Sequence, residues 1–138
     1  MGQAHVIGRE YKIMLRASCY AGNEDALRQH ARVFWQEYIR AIGAVVFDTD
    51  GTLDEIASRR RIRFYDTPDH WLHRHGYICR ERQGAGAEGR EVMLKYRHPD
   101  RYMAQDQDLD AATESHGATK FEEDIKPPFQ TLYSLSTK

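Results

Sequence analysis

The sequence predicts an α+β domain: a mainly antiparallel, strongly curved sheet with one long helix packed outside it. Three observations carry that class. Five segments alternate apolar and charged residues with the period of two that a half-buried strand requires. One segment, 24–41, repeats its apolar residues at helical spacing instead. The charges on the alternating segments are also ordered by sign: Lys and Arg dominate the middle strands, and carboxylates sit on the first and last.

Residues 9–16, REYKIMLR, open the pattern, with Tyr11, Ile13 and Leu15 on one face and Glu10, Lys12 and Met14 on the other. Asn23 is placed to cap the helix over 24–41, with Glu24 and Asp25 in its first turn. Ala26, Leu27, His30, Val33, Phe34, Tyr38 and Ala41 give that helix an apolar stripe. Residues 44–48 read as a short apolar strand ending at an Asp-Gly turn. Then come RRIRFYD, YICRERQ, EVMLKYR and TKFEEDIK. Their polar faces hold Arg80 with Arg82, Met93 with Lys95, and Lys120 with Glu122 and Asp124. An ordinary half-buried sheet alternates too, with its charges in water. A closed or strongly curved sheet, whose concave side binds an anion with a metal, uses the same pattern.

The 138 residues imply one domain, 1–138. A net charge of −1 gives no electrostatic case for nonspecific nucleic-acid binding. Cys19 and Cys79 lie far apart and form no metal-type pair, so a reducing cytoplasm is the default location. No apolar signal core or bilayer-length apolar run is present, which argues against a membrane partner. GAGAEG at 84–89 and the acidic, Gln-rich stretch at 104–114 read as loops.

The ordered set IRFYDTPDHWLHRHGYICRER, VMLKYR and KFEEDI resembles the CYTH family, the triphosphate tunnel metalloenzymes. Tyr65 to Asp69, Gly76, Arg80, Arg82, Lys95, Lys120, Glu122 and Asp124 fall in the order of that family's motifs, and Glu10-Tyr11-Lys12 is similar to its opening Glu-x-Glu-x-Lys. The first Glu of that motif falls at Gly8. The chain stops at Lys138, where family members continue with further strands, so the resemblance implies an N-terminal partial barrel. The tail PPFQTLYSLSTK reads as a linker, or as a short final helix or arm.

The resemblance implies binding, and if catalytic the metal-dependent hydrolysis, of a triphosphate-containing compound. Inorganic triphosphate, a nucleoside triphosphate and thiamine triphosphate all suit the same site logic, as does cyclisation of ATP. Several cations must converge on so dense an anion, and Arg80, Arg82, Lys95 and Lys12, with Lys120 more weakly, are the candidates. Glu10, Glu122 and Asp124 are the implied catalytic carboxylates and the implied ligands of Mg²⁺ or Mn²⁺. A non-catalytic phosphate-binding or assembly module is the alternative, favoured by Gly8 and by the missing C-terminal strands that the resemblance implies. An open partial barrel exposes two strand edges, so a homodimer completing the tunnel is also expected.

Two other motifs compete. AVVFDTDGTLDE at 44–55 spells the loop of a haloacid-dehalogenase-type phosphatase, with Asp48 as nucleophile and Asp50 as proton shuttle. That enzyme needs a parallel sheet of continuous apolar strands alternating with helices. The segments after residue 55 alternate instead, so DTDGT reads as a turn. His70, His73 and His75 could form a transition-metal site, but surface positions on a short connecting helix are the plainer reading. Thr67 would cap that helix with Pro68 in its first position, and Trp71 and Leu72 would anchor it to the sheet.

Overall fold

A computed structural model describes residues 5–110 and 117–138. The chain divides into two compact units, Met14–Ala57 and the remainder, Met1–Ile13 with Ser58–Lys138.

The larger unit is built on a six-stranded sheet. Its strands are β1 (Gly8–Tyr11), β2 (Arg60–Tyr65), β3 (Tyr77–Gly84), β4 (Glu91–His98), β5 (Thr119–Lys126) and β6 (Gln130–Thr137). Their spatial order is β1-β5-β6-β4-β3-β2, with β1 and β2 as the two edges, so the sheet is not closed into a barrel. Only β1 and β5 pair in parallel; every other neighbour is antiparallel. Two short helices join it, α2 (Trp71–Arg74) and α3 (Arg101–Gln105). The α+β class and the mainly antiparallel sheet therefore hold.

Register sorts every side chain onto one of two faces. Tyr96, Phe121 and Leu135 point to one face and meet Ala104 of α3, forming the apolar core. Val6, Tyr77, Leu109 and Tyr133 pack around them. Asp100 caps α3 by accepting from Tyr102 N at 2.8 Å and Met103 N at 3.2 Å, which fixes the helix over this face.

Several expectations are corrected. The first strand spans Gly8–Tyr11 rather than 9–16, and residues 12–16 leave the ladder after Lys12 N donates to Ile125 O at 2.8 Å. The tail after Pro127 and Pro128 is β6, the strand between β5 and β4. Its side chains alternate between the two faces, with Tyr133 and Leu135 on the apolar face and Ser134 and Ser136 on the other. Ala104 and Gln105 are helical, not loop; 106–110 lack regular structure, and 111–116 lie outside the described residues. Of GAGAEG, Gly84 is the last residue of β3, and 85–89 form the expected loop toward β4, with Gly86 at φ +76°.

The smaller unit holds a 3₁₀ turn, Ala17–Tyr20, and α1 (Glu24–Ile42). Asn23 caps α1 as predicted, its side chain accepting from Ala26 N at 3.0 Å. The strand expected at 44–48 does not form, and DTDGT is not a hairpin turn. Val45 and Phe47 are exposed, so no buried face holds an extended segment in register. Asp48 and Asp50 instead accept from the N–H of Thr49 and Gly51, at 2.9 and 2.7 Å, a local bonding that competes with strand pairing. Among the described residues no helix is long and apolar enough to cross a membrane.

Candidate anion-binding face

The second face of the sheet is charged, and the register explains why. Ile78 pairs with Lys95, Arg80 with Met93 and Arg82 with Glu91 across β3 and β4. Lys95 pairs with Ser136, and Ser136 with Lys120. Ser134 pairs with Glu122, which pairs with Gly8; Asp124 pairs with Glu10. Paired residues share a face. Seven of the eight predicted residues, Glu10, Arg80, Arg82, Lys95, Lys120, Glu122 and Asp124, therefore belong to this side, and Lys12, one residue past β1, joins them through its contacts with Glu10 and Asp124.

A cavity of about 470 Å³ lies over it, lined by Glu10 and Lys12 near one edge strand and by Phe64 of the other. A flat six-stranded sheet would hold those edges about 24 Å apart. One cavity touching both requires the sheet to bow toward this face. Ser136 lines the cavity from β6 near the sheet's middle, where a longer side chain would fill the space. Six cations line it, Lys12, Arg80, Lys95, Arg97, Lys120 and Lys138, against two carboxylates, Glu10 and Glu122. Phe64, Ile78 and Met93 supply its apolar wall.

The predicted residues divide by environment. Asp124 is the most buried, at 1% exposure, and does not line the cavity. Lys12 Nζ lies 2.9 Å from its Oδ1, and an Arg97 nitrogen 3.6 Å from its Oδ2. Lys12 also reaches Glu10 at 3.1 Å. Burial works against its charge, but Asp124 and Glu10 outweigh that and hold its pKa above the usual lysine value. Lys95 sits the other way. Burial pushes its ammonium below the usual value, Arg97 and Lys12 add to that, and Asp124 and Glu122 only partly restore it. Its nearest carboxylate, Glu122, is 3.9 Å away. Arg82 shares the face but is tied to Glu91 at 2.8 Å beside the cavity, so it is not one of the lining cations.

Arg97 and Lys138 are functional candidates that sequence reasoning missed. Arg97 is legible, since it continues the Met93, Lys95 alternation by one more step. Lys138 is not, because its segment reads as a linker. Six buried polar atoms on this face find no hydrogen-bond partner among the described residues: Asp124 Oδ1 and Oδ2 and Glu91 Oε1, which have cations within ion-pair range, and Arg80 Nε, Arg97 Nε and Ser134 Oγ. Such groups cost free energy unless water or a ligand completes them.

The implied metal ligands do not form a metal-holding group. Among the described residues no three His, Cys, Asp or Glu side chains converge. Glu10 and Asp124 are adjacent across β1 and β5, but the Lys12 ammonium stands between them. The same holds of the histidines: His75 Nδ1 contacts Trp71 O at 2.7 Å, and His70 takes a left-handed backbone at the helix start. Thr67 Oγ1 accepts from Trp71 N at 2.8 Å, as expected of a cap, but Pro68 stays outside α2, and Asp66 caps Leu72 and His73. Asp48 and Asp50 lie outside any strand.

No protein-family model matches the chain, and neither a curated protein nor a solved structure matches it significantly.

Proposed function

We propose that the charged face binds a triphosphate-class polyanion, with the sheet acting as a CYTH-like partial barrel. The observation that carries this reading is the convergence of six cationic side chains on one concave cavity, including two arginines with unpaired buried Nε donors. A polyphosphate offers many acceptor oxygens at high charge density. Arg80 and Arg97 can each grip it through two nitrogens, and Lys12, Lys95, Lys120 and Lys138 add point charges. Hydrolysis is a second reading, favoured by Glu10 and Glu122 lining the same cavity.

Calorimetric titration with orthophosphate, pyrophosphate and tripolyphosphate tests the first reading. Affinity should rise along that series, because each added phosphate meets further cations. Arg80→Ala with Arg97→Ala should weaken tripolyphosphate binding strongly, since each charge-assisted bond is worth about 1.5–3 kcal/mol. Equal affinity in a folded double variant sinks the proposal. Phosphate release, measured with and without Mg²⁺ or Mn²⁺, decides the second reading.

A further inference from the structure

A polyanion site with carboxylates in it needs something to balance them. On this face the balance is supplied by the protein. Asp124 is almost fully buried; Lys12, one residue past the end of β1, and Arg97 of β4 approach its two oxygens at 2.9 and 3.6 Å. Lys12 lies simultaneously 3.1 Å from Glu10. A small divalent cation such as Mg²⁺ would need the same carboxylate oxygens at about 2.0–2.1 Å, in near-octahedral array. An ammonium already between the two carboxylates excludes it by volume and by like charge. Nor does the neighbouring position help: Gly8, in register with Glu122, brings no side chain.

We infer that Lys12 is a built-in counter-ion, occupying the place between Glu10 and Asp124 that a divalent cation would take. The free protein therefore holds no such ion there, and Lys12 sets that exclusion. The inference rests on the polyanion reading for its consequence, that the cavity's cations meet the ligand without a resident metal.

Mn²⁺ binding to the ligand-free protein, followed by electron paramagnetic resonance, tests it apart from any activity. The wild type should leave Mn²⁺ free. Lys12→Gln, which is one atom shorter and deletes the charge, should gain affinity by at least about tenfold, because a unit positive charge no longer adjoins the ion. Lys12→Arg should stay as inert as the wild type. The gain should vanish when Asp124→Asn is added to Lys12→Gln. Wild-type protein that binds Mn²⁺, and loses it on Glu10→Gln, overturns the inference even if Lys12→Gln fails to fold. Titration with tripolyphosphate in excess chelator separates this from the binding reading. A wild type that takes neither Mn²⁺ nor tripolyphosphate keeps the counter-ion and removes the polyanion.

Discussion

Phe121 and Asp124 lie on the same strand, three residues apart, and both are almost fully buried, at 2% and 1% exposure. They face opposite sides of the sheet. Phe121 is covered by Tyr96, Leu135 and Ala104, an apolar contact that stabilises the fold simply by leaving water. Asp124 is covered by Lys12 and Arg97, and burying that charge costs free energy that the cations only offset. One face is organised for stability. The other carries charged groups whose burial only neighbouring charges offset.

Substitution at the two positions should separate these roles, and here the largest effects are expected. Phe121→Ala should cost about 3–5 kcal/mol of stability, the usual range for a buried aromatic, with tripolyphosphate affinity unchanged wherever the protein is folded. Asp124→Ala should cost about 2–3 kcal/mol. That is below the figure for breaking a fully buried pair, because Lys12 and Arg97 keep contact with water. Its effect on binding should be opposite in sign. Releasing two cations should tighten tripolyphosphate binding by about tenfold, or ~1.4 kcal/mol. Denaturant melts and calorimetry on the same two variants check both. Matching losses of affinity would erase the distinction between the faces.

A smaller effect tests the charged face alone. Lys95 has a pKa below the usual 10.5, first through burial, then through Arg97 and Lys12, opposed by Asp124 and Glu122. A bound polyanion adds negative charge and should raise that pKa. Binding then takes up a proton in the window between the lowered and the raised value. Affinity should fall as pH rises through that window, and Lys95→Met should flatten the slope. Titration in two buffers of different ionisation enthalpy measures the uptake directly. Equal proton uptake in the variant assigns the effect to another group.

These contrasts also show what is legible in the sequence. Period-two alternation by itself assigns Lys95, Arg80, Lys120, Glu122 and Asp124 to the polar faces of their strands, because the pleat leaves each side chain no other choice. Arg97 follows from the same rule. Alternation is silent about depth along a face, however. It cannot tell that Asp124 is buried behind two cations while Glu10 lines the cavity, nor that Arg82 is claimed by Glu91. The β6 segment escapes because Leu132 shares the charged face with Ser134 and Ser136, so adjacent Leu132 and Tyr133 break the apolar–polar alternation that marks the other strands. At 44–48 the reverse occurs. The composition favours a strand, but nothing covers Val45 and Phe47.

The smallest expected effect concerns how the connection from β2 to β3 is pinned. Asp66 follows β2 directly and accepts from Thr67 N at 2.8 Å, Leu72 N at 2.9 Å and His73 N at 3.0 Å. Desolvation opposes its charge, but those three donors, with His70 nearby, prevail and hold its carboxyl below the usual value of 3.8. They fix α2 so that Trp71 stacks on Tyr77, beside the apolar core. A carboxyl with a depressed folded pKa stabilises the fold fully above its unfolded value. That contribution is lost as pH falls from 3.8 through the folded value. Asp66→Asn should therefore lower Tm slightly at neutral pH, with the difference from wild type shrinking below the ordinary carboxylate range. Tripolyphosphate affinity should not move, because Asp66 does not line the cavity. Thermal melts across that pH range, paired with one titration at neutral pH, check both halves. A Tm difference that persists unchanged in acid would mean that the amide fails by shape rather than by charge. A change in affinity would tie α2 to the charged face and blur the division between the two sides of the sheet.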